Sequence, residues 1–121
     1  MARYRNDPGV IRSLLRPDCV HRDVYIDPEL FELEMEELWR RTWIYVGHES
    51  QVPGAGDYLT TTIGTEPVIM VRHTDGSLRV LRNRCAHKGT KVVTERMGNA
   101  GRFLRCPYHG WSYRTDGSLA A

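Results

Sequence analysis

The stretch Cys85-Ala86-His87-Lys88-Gly89, followed after a gap by Cys106-Pro107-Tyr108-His109-Gly110, decides how this chain is read. Each piece offers one thiol and one imidazole, the side chains that bind borderline and soft metal ions. Each is closed by a glycine, which lets backbone N–H groups approach a bound group. Two short loops of matched composition suit a pair of jaws closing on one cofactor. Donor chemistry leaves two occupants. A single zinc ion accepts two Cys and two His, although structural zinc sites usually group Cys with Cys and His with His. A two-iron, two-sulfide centre takes two thiolates on one iron and two imidazoles on the other, and so needs one ligand of each type from each loop. Here the types are interleaved.

Outward from the loops the chain is β-rich. Tyr58 to Ile63, Pro67 to Arg72 and Leu78 to Leu81 alternate as strands do, separated by turn residues such as Thr74-Asp75-Gly76-Ser77. Thr42 to Val46 is predicted as a further strand, and Phe103 to Arg105 and Trp111 to Arg114 as two more, with Asp116-Gly117 as a turn. Before residue 42 the period changes. Asp27-Pro28 is a helix start, and Phe31, Met35, Leu38 and Trp39 recur at helical spacing, so a helix from Pro28 to Arg41 with an aromatic core stripe is expected. The expected organisation is an N-terminal arm and helix over residues 1–41 and a β domain over 42–121. Neither an internal repeat nor a low-complexity segment stands out.

At 121 residues, 40% hydrophobic and 26% charged, the composition is that of one globular domain, which excludes collagen-like, disordered and coiled-coil readings. No apolar run approaches the roughly 18 to 20 residues needed to cross a bilayer, and no apolar segment follows the N-terminal arginines. The chain is therefore read as cytoplasmic, with no membrane partner. Three cysteines in a reducing compartment are ligands before they are staples. Net charge is +2 but unevenly spread: residues 1–71 hold 7 Lys and Arg against 12 Asp and Glu, residues 72–121 hold 10 against 3. The second half would suit an anionic cofactor or an acidic protein; no recognition element for nucleic acid accompanies it.

Histidine ligation has an electrostatic meaning. Two ferric ions, two sulfides, two thiolates and neutral imidazoles sum to zero charge, and one added electron makes −1. Four thiolates would give −2 and then −3. The neutral centre accepts an electron more easily, at about −150 to +300 mV rather than about −400 mV. Arg82, Arg84, Lys88, Lys91, Arg102 and Arg105 would favour the reduced state and attract an acidic donor. Cys19 and His21 form a second C-x-H without a matching partner, and His48 and His73 stand alone, so structural or surface roles are expected for all four.

At Asn83-Arg84-Cys85-Ala86-His87-Lys88-Gly89 and Cys106-Pro107-Tyr108-His109-Gly110-Trp111-Ser112-Tyr113 the sequence resembles the Rieske domain of the large (alpha) subunits of bacterial aromatic-ring-hydroxylating dioxygenases. The resemblance reaches back to the helix start at Asp27. It implies a mainly β, antiparallel Rieske-like domain with two cluster-binding loops behind an N-terminal helix. It implies a 2Fe-2S cluster on Cys85, His87, Cys106 and His109, the cysteines on the buried iron and the histidines on the outer one. Lys88, Gly89, Tyr108, Gly110, Trp111 and Tyr113 would surround it: Tyr108 and Trp111 as an apolar cover, Tyr113 as a donor to a cysteine sulfur. The Rieske proteins of respiratory complexes differ, having two further cysteines where Thr90 and Tyr108 stand and a serine where Trp111 stands. The lower part of the potential range is therefore expected.

The same resemblance implies a ferredoxin or a flavin/iron-sulfur reductase as electron donor, and a homotrimer or a hetero-hexamer with a small beta subunit. In such oxygenases a further domain carries a mononuclear Fe(II) on two His and one carboxylate, where dioxygen reacts. Only twelve residues follow His109, so the chain is expected to end before the Rieske domain closes, to lack that catalytic domain, and to do electron transfer only. A free-standing Rieske ferredoxin and a zinc-stabilised binding module are the competing readings. A ferredoxin has no need of the helix-led arm.

Overall fold

Asp27 starts its helix as the sequence promises: its carboxylate accepts the N–H groups of Glu29 at 2.8 Å and Leu30 at 3.3 Å, and Pro28 takes the first helical position. The computed structural model describes residues 3–121. The chain forms two compact units, Met1–Ile44 and Tyr45–Ala121, where the sequence suggested a division at 41 and 42.

The first unit has three short helices, α1 (Pro8–Ser13), α2 (Asp23–Ile26) and α3 (Pro28–Glu34), the last running on into a π-helical turn at Met35–Trp39. Tyr4, Leu14 and Leu30 are its buried centre, with Val10, Ile11, Val24 and Leu33 packed around them. The expected single helix to Arg41 and its stripe are corrected here. Leu30 and Met35 are buried, whereas Phe31, Leu38 and Trp39 leave 39 to 50% of their surface exposed. The π turn is wider than 3.6 residues, so apolar positions spaced for an α-helix no longer fall on one face. Glu29 secures the N-terminal arm by accepting three consecutive backbone N–H groups, from Arg3, Tyr4 and Arg5, each at 2.8 Å.

The second unit is built on an antiparallel four-stranded sheet in the order β3-β2-β1-β4, with β1 at Asp57–Ile63, β2 at Glu66–Arg72, β3 at Leu78–Arg82 and β4 at Met97–Asn99. A separate two-stranded ribbon pairs β5 (Phe103–Arg105) with β6 (Ser112–Arg114). Alternation along β1 and β2 divides their side chains between two clusters. Leu59 and Met70 pack with Val52 and Val46 on one face. Tyr58, Ile69 and Val71 turn the other way, onto Val92, Leu104 and the two cysteines Cys85 and Cys106. That second face positions the site.

Thr42 to Val46 is not a strand. Its β-prone residues have no buried surface to lie on: Trp43 and Tyr45 face solvent, and only Val46 reaches a core. A repeat also went unread in the sequence: Thr74-Asp75-Gly76-Ser77-Leu78 returns as Thr115-Asp116-Gly117-Ser118-Leu119. Both copies fold alike, the Asp carboxylate accepting the N–H and hydroxyl of the serine two residues on. His73, before the first copy, bonds through Nδ1 at 2.7 Å to the buried hydroxyl of Thr115 in the second.

Candidate metal centre

Asn83 builds the first loop before the thiol is reached. It is buried at the end of β3, where its N–H donates to the Pro67 carbonyl at 2.8 Å. Its side-chain oxygen accepts the N–H groups of Val92 and Val93, and its amide donates to the Val93 carbonyl at 2.6 Å. The segment between is thereby closed into a loop with Cys85 near its root.

The two loops share one hydrogen-bond plan. The Cys85 N–H donates to the carbonyl of Thr90 and that of Cys106 to the carbonyl of Trp111, five residues on and both at 2.8 Å. Gly89 and Gly110 return their N–H groups to the cysteine carbonyls at 2.9 and 3.0 Å. Both glycines sit at φ of +75 and +76°, the left-handed region that side chains with a Cβ avoid. An arginine precedes each cysteine and lies against its loop's glycine: a Cβ on Gly89 would come within 3.1 Å of Arg84 Nε, and one on Gly110 within 3.5 Å of an Arg105 terminal nitrogen.

This plan buries the thiols and exposes the imidazoles. Cys85 and Cys106 are each 3% accessible and lie within hydrogen-bonding reach of one another. The Tyr113 hydroxyl, 3.2 Å from Cys85 Sγ, is the main cause that holds the Cys85 thiol below its ordinary pKa; burial opposes it, and the N–H groups of His87 and Lys88 and the Cys106 thiol assist. The Tyr113 phenol is itself pushed up, by burial first and then by Cys85. His87 and His109 lie on the exposed side of the loops, their ring centroids 4.7 Å apart. Trp111 stacks on His87 at 5.0 Å with the planes 8° apart. Tyr108 lies 3.7 Å from the His109 ring, centroid to centroid and tilted by 36°, while leaving most of its own surface in solvent, so each imidazole has one aromatic ring against it.

The donors are thus divided into a buried sulfur pair and an exposed imidazole pair. Among the described residues no three His, Cys, Asp or Glu side chains are grouped as one metal ion would need. A single tetrahedral zinc wants its four ligands on one point, whereas a two-iron centre takes them two and two. The other sequence candidates lie elsewhere. Cys19 is free and exposed, His21 contacts Asp23, His48 accepts the Ser50 N–H at the start of a short 3-10 turn, and His73 is bonded to Thr115. Asn83 is the residue that sequence reasoning missed; its one signal was an amide side chain at the end of a predicted strand, just before the Arg-Cys pair.

Residues 42–121 match the family model described as the Rieske [2Fe-2S] domain. The chain belongs to that family. Its similarity to the Rieske oxygenases is extensive: it is 46% identical over 114 residues to the biphenyl dioxygenase subunit alpha of Metapseudomonas furukawaii, covering 93% of this chain and 25% of that one. The naphthalene 1,2-dioxygenase of a Rhodococcus species, solved with indole bound, superimposes with a TM-score of 0.80 at 33% identity, over 97% of this chain and 26% of that one. A quaternary ammonium Rieske monooxygenase, whose structure is described as giving insight into carnitine oxidation and inter-subunit electron transfer, matches with a TM-score of 0.77 at 34% identity over 83% and 27%. The chain spans about a quarter of the length of the curated relatives it matches. The antiparallel Rieske fold is therefore observed, and the cofactor of a Rieske domain is a 2Fe-2S cluster. The donor set fits it: two thiols in the core with an O–H and backbone N–H groups turned toward one sulfur, and two imidazoles outside. No helix among the described residues is long and apolar enough to cross a membrane.

Proposed function

We propose that this chain is the electron-entry portion of an aromatic-ring-hydroxylating oxygenase large subunit, with Cys85 and Cys106 holding the inner iron and His87 and His109 the outer one. The observation that carries the reading is the division of donors just described: two loops of one hydrogen-bond plan, thiols buried and imidazoles exposed. When bound, the cluster supplies one-electron chemistry between neutral and −1 charge. The chain's own residues do the rest. Cys85 and Cys106 bring two negative charges into the core, and at the Cys85 sulfur Tyr113 and backbone N–H groups offset the desolvation. Gly89 and Gly110 let each loop turn sharply enough to aim its histidine outward. Trp111 fixes the plane of the His87 ring and keeps water from one of its faces. Lys88 and Tyr108 flank the two imidazoles.

The relatives' names support the wider assignment, since they are dioxygenase alpha subunits. In this reading a ferredoxin or reductase gives the electron, and a mononuclear iron in the remainder of such a subunit, or in its neighbour within a trimer or a hexamer with beta subunits, receives it. Cysteines that are joined by no disulfide, two of them cluster ligands in this reading, suit the cytoplasm. Anaerobic reconstitution tests the assignment. Two irons and two acid-labile sulfides per chain are expected, with the visible bands and electron paramagnetic resonance signal of a Rieske centre, and Cys85→Ser or Cys106→Ser should abolish both. Stoichiometric zinc without sulfide would overturn it.

A further inference from the structure

The four-stranded sheet and the β5–β6 ribbon share no strand pairing, yet the ribbon carries Tyr113, whose hydroxyl reaches Cys85 Sγ. Among the described residues one hydrogen bond runs from the β2–β3 hairpin to the ribbon and its turn: His73 Nδ1 lies 2.7 Å from the Thr115 hydroxyl, 42 positions on in the chain. Both ends of that bond are held. The His73 N–H donates to the Ser77 carbonyl at 2.8 Å and its carbonyl accepts the Gly76 N–H at 3.0 Å, so the turn after β2 fixes its backbone. Thr115 is fully buried, and among the described residues its hydroxyl has no partner but His73. A buried hydroxyl is unfavourable without a partner, so the pair draws the end of β6 onto the hairpin. Gly117 follows it down: a Cβ there would meet Leu81 Cδ2 at 3.0 Å. Thr115 stands two residues beyond Tyr113, about 7 Å of extended chain, so a displacement of one is felt at the other.

Resting on the cluster assignment above, we propose that His73 is a positioning residue for the Tyr113–Cys85 hydrogen bond: by holding Thr115 it keeps the end of β6 where the phenol reaches the sulfur, and so raises the reduction potential of the centre. The Tyr113 oxygen serves two partners at once, Cys85 Sγ at 3.2 Å and the Ala86 N–H at 3.0 Å, and a small shift of the ribbon disturbs both. A hydrogen bond to a ligand sulfur favours the reduced centre, which carries the extra negative charge. His73 acts on that balance from outside the loops, through a hydroxyl and a phenol.

The test uses the reconstituted chain. Iron and sulfide are assayed first: their absence from the parent would refute the cluster assignment, and the comparisons that follow are made on chains that carry both. His73→Leu keeps an apolar body without a hydrogen-bonding atom, and Thr115→Val removes the hydroxyl while keeping its shape. Each should retain the parent's iron and sulfide and lower the reduction equilibrium about threefold, which is about 30 mV at 59 mV per tenfold for one electron. His73→Asn, whose side chain places a polar atom as far from the backbone as Nδ1, should restore the parent's potential. The Ala86 amide should exchange faster in His73→Leu than in the parent, because its acceptor is the Tyr113 oxygen. In a Tyr113→Phe background neither substitution should move the potential further, since no phenol is left to displace; a lost imidazole charge or a general loosening would still act there. The proposal is overturned if His73→Leu leaves the potential or the Ala86 exchange as in the parent, if it lowers the potential equally with Tyr113→Phe present, or if His73→Asn behaves as His73→Leu. Should His73→Leu fail to hold iron, Thr115→Val decides by the same comparisons.

Discussion

The Tyr113 hydroxyl lies 3.2 Å from Cys85 Sγ while accepting the Ala86 N–H at 3.0 Å. With a backbone donor already occupying its oxygen, the phenol has its own proton to give, and a thiolate ligand has none, so Tyr113 donates to the sulfur. Such a bond strengthens as negative charge builds on the cluster, and therefore favours the reduced state. Tyr113→Phe should leave the iron content unchanged and lower the reduction potential. If the lost preference is about 1.4 kcal/mol, the fall is about 60 mV for one electron. Protein-film voltammetry reads it directly, and an unchanged or higher potential would refute the donor role. Among the described residues Tyr113 is the side-chain hydroxyl that bonds to a cysteine sulfur.

Asn83 closes its loop with three side-chain hydrogen bonds, two accepted and one donated. Asn83→Leu keeps the approximate volume but strands the N–H groups of Val92 and Val93, the first of them buried. The expected loss is about 3 kcal/mol, since an unsatisfied buried backbone group costs about 1–3 kcal/mol. Urea denaturation measures it, the midpoint falling with little change in slope. A loss below about 0.5 kcal/mol would mean that solvent reaches those amides.

What the sequence made legible was local. Metal donors, loop glycines and turn residues act within a few positions of themselves, so the two loops and strands β1, β2, β3, β5 and β6 are readable to within a residue of their ends. What escaped depends on distant partners. The Asn83 bonds cross 9 and 10 residues, and the Glu29 bonds to the arm cross 24 to 26. Strand β4 is Met97-Gly98-Asn99, two of whose three residues are poor strand formers, and it exists because β1 pairs with it. The aromatics around residue 43 failed in the opposite sense: strand propensity without a surface to cover.

Glu29 gives the first unit an acid-sensitive latch. The N–H of Arg5 is the first cause that holds its carboxyl below the ordinary range, followed, against the opposing effect of burial, by the N–H groups of Arg3 and Tyr4 and the Arg5 charge. A carboxyl whose folded pKa is depressed stabilises the fold above its unfolded value, about 4.3, and loses that contribution as pH falls through the lower folded value. The arm should therefore release in acid below about pH 4, while Glu29→Gln should loosen it at neutral pH and remove that part of the acid dependence. Amide hydrogen exchange at residues 3–5 follows the event. Protection at residues 3–5 that is the same in Glu29→Gln as in the parent chain at neutral pH would refute the latch.

Gly98 and Tyr58 are neighbours on β4 and β1, paired in register, and a Cβ on Gly98 would come within 2.6 Å of the Tyr58 hydroxyl and 2.9 Å of its ring carbon Cζ. The tyrosine cannot simply step aside, because it belongs to the buried cluster that includes both cysteines. Gly98 itself is exposed, but its added methyl would press on that buried ring, so Gly98→Ala should cost about 2 kcal/mol, the usual scale of overpacking. The decisive measurement is a double-mutant cycle. In a Tyr58→Leu background the ring is gone, and the same alanine should cost less than about 0.5 kcal/mol, leaving a coupling of about 1.5 kcal/mol between the two positions. Additive costs would show that the strain of the substitution lies in the backbone instead. They would also separate strand β4 from the wall that holds Cys85 and Cys106, which a coupled pair would join to it.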